Sequence, residues 1–319
     1  MPETSGFFGI ENVLPTVGAR SSARSRHEDG SLRAHGGEWR RGALAFALVG
    51  ALALGGCLAP EKGSASKCGD FGAPPRDWRH LRVGVLGDSI TDRNQTSTQN
   101  VYWQYLAEWL AWEKTGVYGI SGHTSAQIPW QTDQMTTDMG DDVDAVTILI
   151  GTNDYASSVP LGEWYETATE PVNWWGDETP LPVRRYSNDA GTFRGRLNLA
   201  LEKLKRRYPD AQIVLFTPIH RAYFWYSETN VQPSENVPNE IGLHIEDYVR
   251  AIREAGQIWS CPVIDLYGES SLSPMLKESH AKLFRSADRD RLHPNSEGQR
   301  RMAALIYAKL QSLPGTFRR

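Results

Sequence analysis

Cysteine is scarce in this sequence: three in 319 residues, at positions 57, 68 and 261. They form no Cys-x-x-Cys pair and no cluster with histidine, which excludes a zinc-ribbon centre and a thioredoxin-like redox motif. Charge of one sign is also lacking, with 34 Lys and Arg against 38 Asp and Glu, a net charge of -4. No basic stripe interleaved with aromatics occurs, so nothing points to a nucleic-acid partner. The apolar run from Ala43 to Leu54 falls short of the roughly 20 residues that a membrane-spanning helix needs. No internal repeat is found. What is present is a hydrophobic fraction of 40%, enough to fill a core, and 11 Trp and 12 Tyr. Many of these aromatics lie in polar stretches, where they either build binding walls or pack as core.

Residues 1–39, rich in Gly, Ser, Arg and Glu without periodicity, read as disordered. Arg40 and Arg41 then precede the apolar run, which ends in Gly55, Gly56 and Cys57. A charged region, a short apolar core and small residues at a cleavage site make a secretory signal. The stretch "LGGC" resembles the lipobox of bacterial lipoproteins, in which the cysteine is lipidated and becomes the mature N-terminus. The plainer alternative is a buried or anchoring helix with a chance cysteine. About forty residues ahead of such a signal is unusual, and a start downstream of Met1 would remove them. Residues 58–79 read as a tether and 80–315 as the folded domain. An exported chain is able to pair Cys68 with Cys261.

Five short apolar, β-branched runs are expected to be strands: 81–87, 116–120, 144–151, 211–217 and 261–267. They are apolar on both faces, as strands of a buried parallel sheet are. Helical spacing fills 101–114, 191–210, 239–256 and 295–313. The alternation predicts an α/β domain, a three-layer α/β/α sandwich around a mainly parallel five-stranded sheet. Two long connections, 152–190 and 218–238, follow strand C-termini, where open α/β sheets bind ligands.

In "VGVLGDSITD" (83–92) an apolar run ends on Gly87, Asp88 and Ser89. A strand-to-helix turn of this kind either is ordinary turn chemistry or holds a nucleophilic hydroxyl above the sheet. Three further stretches bear on the choice. Gly122 in "YGISGHTSAQI" follows the second run, Asn153 in "ILIGTNDYA" follows the third, and Asp290 and His293 stand three apart in "DRDRLHPNSEGQ". Together these four blocks, in this order, resemble the SGNH hydrolases, also called GDSL-type esterases, over residues 81 to about 312. The resemblance implies a flavodoxin-like fold and a serine esterase without metal or cofactor. It implies Ser89 as nucleophile, His293 as general base and Asp290 as its orienting acid. It further implies an oxyanion hole from the N–H groups of Ser89 and Gly122 and the side-chain amide of Asn153. A base of near-neutral pKa, a carboxylate to fix its tautomer and amide donors for the developing charge suit ester hydrolysis on their own terms. Asp88 reads as a turn-holding residue, Asp154 as structural and Asp288 as a solvated acid. His123 either faces the pocket or is a surface histidine, and His220 and Arg221, at the end of the fourth run, are either an active-site wall or structural.

The connection 152–190 carries Trp164, Tyr165, Trp174 and Trp175 among Glu163, Glu166, Asn173, Asp177, Arg184 and Arg185. Flat rings beside hydrogen-bonding groups suit sugars better than acyl chains. The expected activity is removal of O-acetyl groups from carbohydrate, with Trp164, Trp174 and Trp175 as one wall of the sugar site and His123 and His220 as further contacts. The alternatives are a lipid esterase, thioesterase or lysophospholipase on the same residues, and, from another class, a glycan-binding surface protein with poor turnover. The expected partner is an acetylated glycan or another small ester, with membrane contact only through the lipid anchor, in the bacterial cell envelope.

Mass spectrometry of the mature N-terminus is expected to find lipid-modified Cys57 after cleavage behind Gly56. An unmodified N-terminus elsewhere, or an uncut chain in the membrane, would refute the lipoprotein reading.

Overall fold

A computed structural model describes residues 77–94 and 99–313. The leader at 1–57, Cys57, Cys68 and most of the tether lie outside these residues. No helix among them is long and apolar enough to cross a membrane. Cys261 is a buried free thiol.

The five strands expected from sequence form one sheet: β1 (Arg82–Gly87), β2 (Lys114–Val117), β3 (Ala145–Leu149), β6 (Gln212–Phe216) and β9 (Val263–Ile264). Its order is β2-β1-β3-β6-β9 and every pairing is parallel. Each central strand feeds both layers of core. Val83 and Val85 face one cluster and Leu86 the other; Val214 and Phe216 face the first, Ile213 and Leu215 the second. Helices α1 (Tyr102–Trp109) and α8 (Ser296–Ser312) cover the first face. Helices α2 (Ile128–Met139), α4 (Phe193–Arg207) and α5 (Ile245–Ile258) cover the second. The result is the α/β/α sandwich predicted. Short helices α3 (Thr152–Ala156), α6 (Leu266–Glu269) and α7 (Lys277–His280) complete the helical set.

Helix α2 lies where no helix was expected, β2 begins two residues before its expected run, and three further features depart from the sequence reading. Helix α5 starts at Ile245, not near 239, because Asn239 organises a turn: its Oδ1 accepts from the N–H groups of Ile241 and Leu243, and Gly242 has a φ of 82°. The tether's end is not loose, since Trp78 is buried in the core beside Leu81. Most of the connection 152–190 is regular. β4 (Tyr165–Trp174) and β5 (Asp177–Tyr186) form an antiparallel ribbon, closed by Trp175 and Gly176, both at positive φ, as a two-residue hairpin turn requires. The long second connection contributes β7 (Phe224–Ser227) and β8 (Asn230–Gln232). With β10 (Phe284–Ser286) and β11 (Asp290–Pro294) these make a second sheet of order β10-β11-β7-β8.

Helix α2 packs so closely on β1 that a Cβ at Gly84 would lie 2.1 Å from the Met135 sulfur. Gly84→Ala is therefore expected to cost about 1–3 kcal/mol. The same change in a Met135→Ala background is expected to cost less. Urea unfolding of the double-mutant cycle checks the coupling, and additive effects would show that the two residues do not share this space.

Candidate active site

The glycine that ends β1 is set by space. A Cβ on Gly87 would lie 2.4 Å from Thr91 Oγ1 and 2.7 Å from the Leu149 carbonyl oxygen. The end of β1 is also gripped by the buried amide of Gln131 from α2. Its Oε1 accepts from the Gly87 N–H at 2.9 Å and its Nε2 donates to the Gly87 carbonyl at 2.8 Å. Asp88 then closes the turn: its Oδ1 accepts from the Ile90 N–H at 2.9 Å, and its carbonyl accepts from Thr91 and Asp92. That is the turn-holding part the sequence suggested for it.

This turn brings Ser89 Oγ to 2.8 Å from His293 Nε2. The histidine stands on β11 with Asp290, whose two carboxylate oxygens both lie 3.0 Å from His293 Nδ1. Asp290 Oδ1 also accepts from the N–H groups of Leu292 and His293, so the strand's own backbone holds the carboxylate. A carboxylate at Nδ1 favours the tautomer with its proton there, leaving Nε2 free to accept from the serine hydroxyl. Phe224 pairs with Asp290 across the second sheet and packs edge-on to His293, ring centroids 4.8 Å apart.

Two turns flank the serine. In the first, the His123 N–H donates to the Ile120 carbonyl and Gly122 has a φ of 83°. Nothing lies within 4 Å of a Cβ built there. Glycine is therefore demanded by the left-handed backbone. In the second, Asn153 sits in the first turn of α3. One of its amide hydrogens goes to the His123 carbonyl at 2.9 Å, which orients the amide and leaves its second N–H available. The turns are locked together by Asp154, which accepts from the N–H and hydroxyl of Ser125 at 2.9 and 2.6 Å. Asp92 ties the serine turn to the Gly122 turn through the N–H and hydroxyl of Ser121, each at 2.9 Å.

Of the two readings that the sequence leaves open for Arg221, the structure favours the structural one. It is wholly buried. Its Nη1 donates to the carbonyl and hydroxyl oxygens of Thr152 at 3.0 and 2.8 Å, and its Nη2 to Gln232 Oε1. The guanidinium thus fastens the residue before Asn153 to the second sheet. Burial lowers its pKa to about 10, which leaves it cationic at neutral pH.

The remaining candidates divide. His123 is half-buried, with Nδ1 3.0 Å from Gln131 Nε2 and its ring edge-on to Trp130; desolvation lowers its pKa. It borders the site through its carbonyl and its ring. His220 is bound instead to Glu235, 2.9 Å from both carboxylate oxygens, and lies against Tyr267 at 3.8 Å. Trp164 is misassigned as a sugar contact. It is only 9% exposed, its indole N–H donates to Glu254 of α5 at 2.7 Å, and Arg194 lies over its ring. A stacking platform needs an open face, and this ring is committed to the core. Trp174 and Trp175, 57% and 92% exposed, sit at the far tip of the ribbon, roughly 30 Å from its base. The base is fixed by Tyr186 stacked on Trp259 at 4.2 Å. No described contact joins this pair to Ser89, His293 or Asn153. Asp288 is a surface acid paired with Lys277, as expected.

Burial pushes the Asp88 carboxyl up to about 7, with Asp154 adding to the rise and Arg221 opposing it. An unfolded chain releases this proton near pH 4. The stability Asp88 contributes is therefore complete below about pH 4 and is lost as pH rises toward 7. Asp88→Asn keeps an acceptor for the Ile90 N–H and is expected to flatten the fall in unfolding free energy between about pH 4.5 and 7.5. Urea titrations across that window measure it, and an unchanged slope in the variant would contradict the assignment.

The sequence model of the GDSL-like lipase/acylhydrolase family matches residues 85–301. A solved structure from Lactobacillus plantarum is 26% identical, with a TM-score of 0.57, over 73% of this chain and 98% of its own. A possible lipase from Chitinophaga pinensis is 21% identical, also at 0.57, over 73% and 98%. A variant of an acetyl xylan esterase from Geobacillus stearothermophilus stands further off, at 15% identity and a TM-score of 0.47 over 73% and 95%. No curated protein matches. The family match runs from within β1 into α8 and so takes in the serine turn, both flanking turns and the acid–histidine strand: the chain belongs to the GDSL-like lipase/acylhydrolase family, the ester hydrolases also called SGNH hydrolases.

Proposed function

We propose that Ser89 is the nucleophile of an O-acetylesterase acting on carbohydrate. The observation that carries the serine chemistry is the unbroken chain Ser89–His293–Asp290, buried beside two turns that present amide donors. His293 takes the serine proton as the hydroxyl attacks the ester carbonyl, and returns it to the departing alkoxide. Asp290 holds the imidazole and stabilises its charged form. The oxyanion is met by the N–H groups of Ser89 and Gly122 and by the second N–H of Asn153. Water then repeats the sequence on the acyl-serine.

Support for a carbohydrate ester comes from the surface around these groups. Trp130 and His123 stand beside the oxyanion turns, and Trp225 and Tyr226 lie on the strand paired with β11, 44% and 74% exposed. These rings are interspersed with charged and amide side chains, a surface suited to sugar faces and hydroxyls. Trp164, committed to the core, is not among them, and Trp174 and Trp175 serve as outer contacts. Lipidation at Cys57 would place the enzyme in the cell envelope, beside polymeric glycans.

Ser89→Ala and His293→Ala are expected to abolish hydrolysis of a short-chain aryl ester to similar extents, because the three residues act as a unit. Asn153→Ala is expected to lower kcat by ~10²–10³-fold with a smaller change in KM. Released acetate from acetylated oligosaccharides, set against aryl esters of increasing acyl length, tests the substrate class. Preference for long acyl chains would move the enzyme to lipid esters, and wild-type turnover in Ser89→Ala would remove the scheme altogether.

A further inference from the structure

Beside Asp290 the surface opens into a cavity of about 310 Å³ whose lining includes Trp225, Tyr226, Arg285 and Arg289. The two arginines are exposed. The acid closest to Arg285 is Asp290, at 3.9 Å, beyond hydrogen-bond reach, and Asp290 is already engaged by His293 and two backbone N–H groups. Arg289 has no carboxylate partner among the described residues. Its neighbour Asp288 is taken by Lys277 at 2.8 Å. The Arg289 guanidinium instead lies over the Trp225 ring, 5.6 Å from its centroid. A guanidinium over an indole still presents N–H donors. The cavity therefore combines two exposed arginines, one of them without a carboxylate partner among the described residues, with two exposed aromatic rings, in a chain whose net charge is negative.

We propose that this cavity is a subsite for a carboxylate-bearing sugar ring of the substrate, one that stacks on Trp225 or Tyr226 and gives its carboxylate to Arg289 and Arg285. The proposal deepens the carbohydrate-ester reading and rests on it. A carboxylate matches the planar fork of arginine, which binds it through paired hydrogen bonds, whereas a neutral sugar would leave Arg289 without a counterpart. The location fits a polymer. Asp290 is at once the orienting acid of the serine–histidine pair and part of the cavity wall, so the cavity adjoins the catalytic residues and a polymer can extend from one to the other. Exposed tryptophan, tyrosine and arginine would also suit an anionic membrane surface, but a flat bilayer does not fill a recess that ends against the triad acid.

The test uses the Ser89→Ala protein, which keeps the cavity and cannot consume substrate. Trigalacturonate is expected to bind in calorimetry, and Arg289→Gln is expected to weaken it at least about tenfold, the scale of a lost charge-assisted bond. Arg289→Lys should recover part of the loss. Raising salt from about 20 to about 300 mM should weaken binding as well, because an exposed ion pair is screened. Xylotriose, of similar size without carboxylates, should respond far less to both changes. In Ser89 enzyme, the ratio of kcat/KM on acetylated oligogalacturonate to that on acetylated xylo-oligosaccharide should fall about tenfold with Arg289→Gln. Failure to bind trigalacturonate, equal effects on both sugars, or an Arg289-dependent affinity seen only for phosphatidylserine vesicles would each overturn the subsite. If trigalacturonate binds as expected but wild-type enzyme releases no acetate from any glycan, the ester reading falls and the anionic-sugar subsite stands.

Discussion

The 2.8 Å bond between Ser89 and His293 joins residues 204 positions apart, and each half of the fold holds one end of it. The serine end belongs to the parallel sheet, rigid because both faces are packed. The histidine end belongs to the second sheet, which has little core of its own. Two buried glutamines set the distance between them. Gln131 of α2 grips the backbone of Gly87 on one side. Gln299 of α8, the helix that follows β11 directly, reaches the Ile90 carbonyl at 3.3 Å and accepts from the Tyr102 N–H at 3.0 Å. An amide buried with both ends satisfied fixes position more sharply than an apolar side chain, which has no preferred partner atom. The serine turn is thus held from both helical layers, and the strand carrying His293 leads straight into one of those anchors.

Electrostatics beneath the site follow the same economy. Asp88, Asp154 and Arg221 are all buried at the strand ends. Burial raises the pKa of both acids, and each is compensated by short bonds from serine or backbone groups. Arg221 supplies a positive charge behind Thr152. A buried guanidinium is costly on its own. Here four of its surroundings share the load: the Thr152 carbonyl and hydroxyl, the Gln232 amide and the Tyr155 ring 5.3 Å away.

What the sequence made legible is what repeats at a fixed period or stands in a short block. Strands apolar on both faces declare themselves: four central strands lie within the runs 81–87, 144–151, 211–217 and 261–267, trimmed at their ends, while β2 begins two residues before the run 116–120. Ser89, Gly122, Asn153, Asp290 and His293 were each found from local blocks. What escaped detection has no period to read. The β4–β5 ribbon is exposed along nearly its whole length and contains Pro171, Pro180 and Pro182, so it shows no alternation of apolar and polar positions. Trp164 looked like its tryptophan neighbours because only tertiary packing, against Glu254 and Arg194, separates a core indole from a platform. Arg221 was ambiguous for a similar reason: charge in a sequence reads as surface until its partners are known. Gln131 and Gln299 gave no signal at all.

The two insertions differ in how they can influence chemistry. Both follow strand ends of the central sheet and both carry exposed aromatic residues. The ribbon, however, attaches through its base, where Tyr165, Tyr186 and Trp259 stack, and its tip is free of the site in every described contact. A ligand held there gains affinity without touching the reacting groups. The β7 strand is bound into the sheet that carries Asp290 and His293, with Phe224 against the imidazole. A ligand resting on Trp225 or Tyr226 therefore bears on the same strand pair that orients the base. Selectivity built on β7 acts where small displacements alter transition-state geometry, whereas selectivity built on the ribbon acts on capture alone.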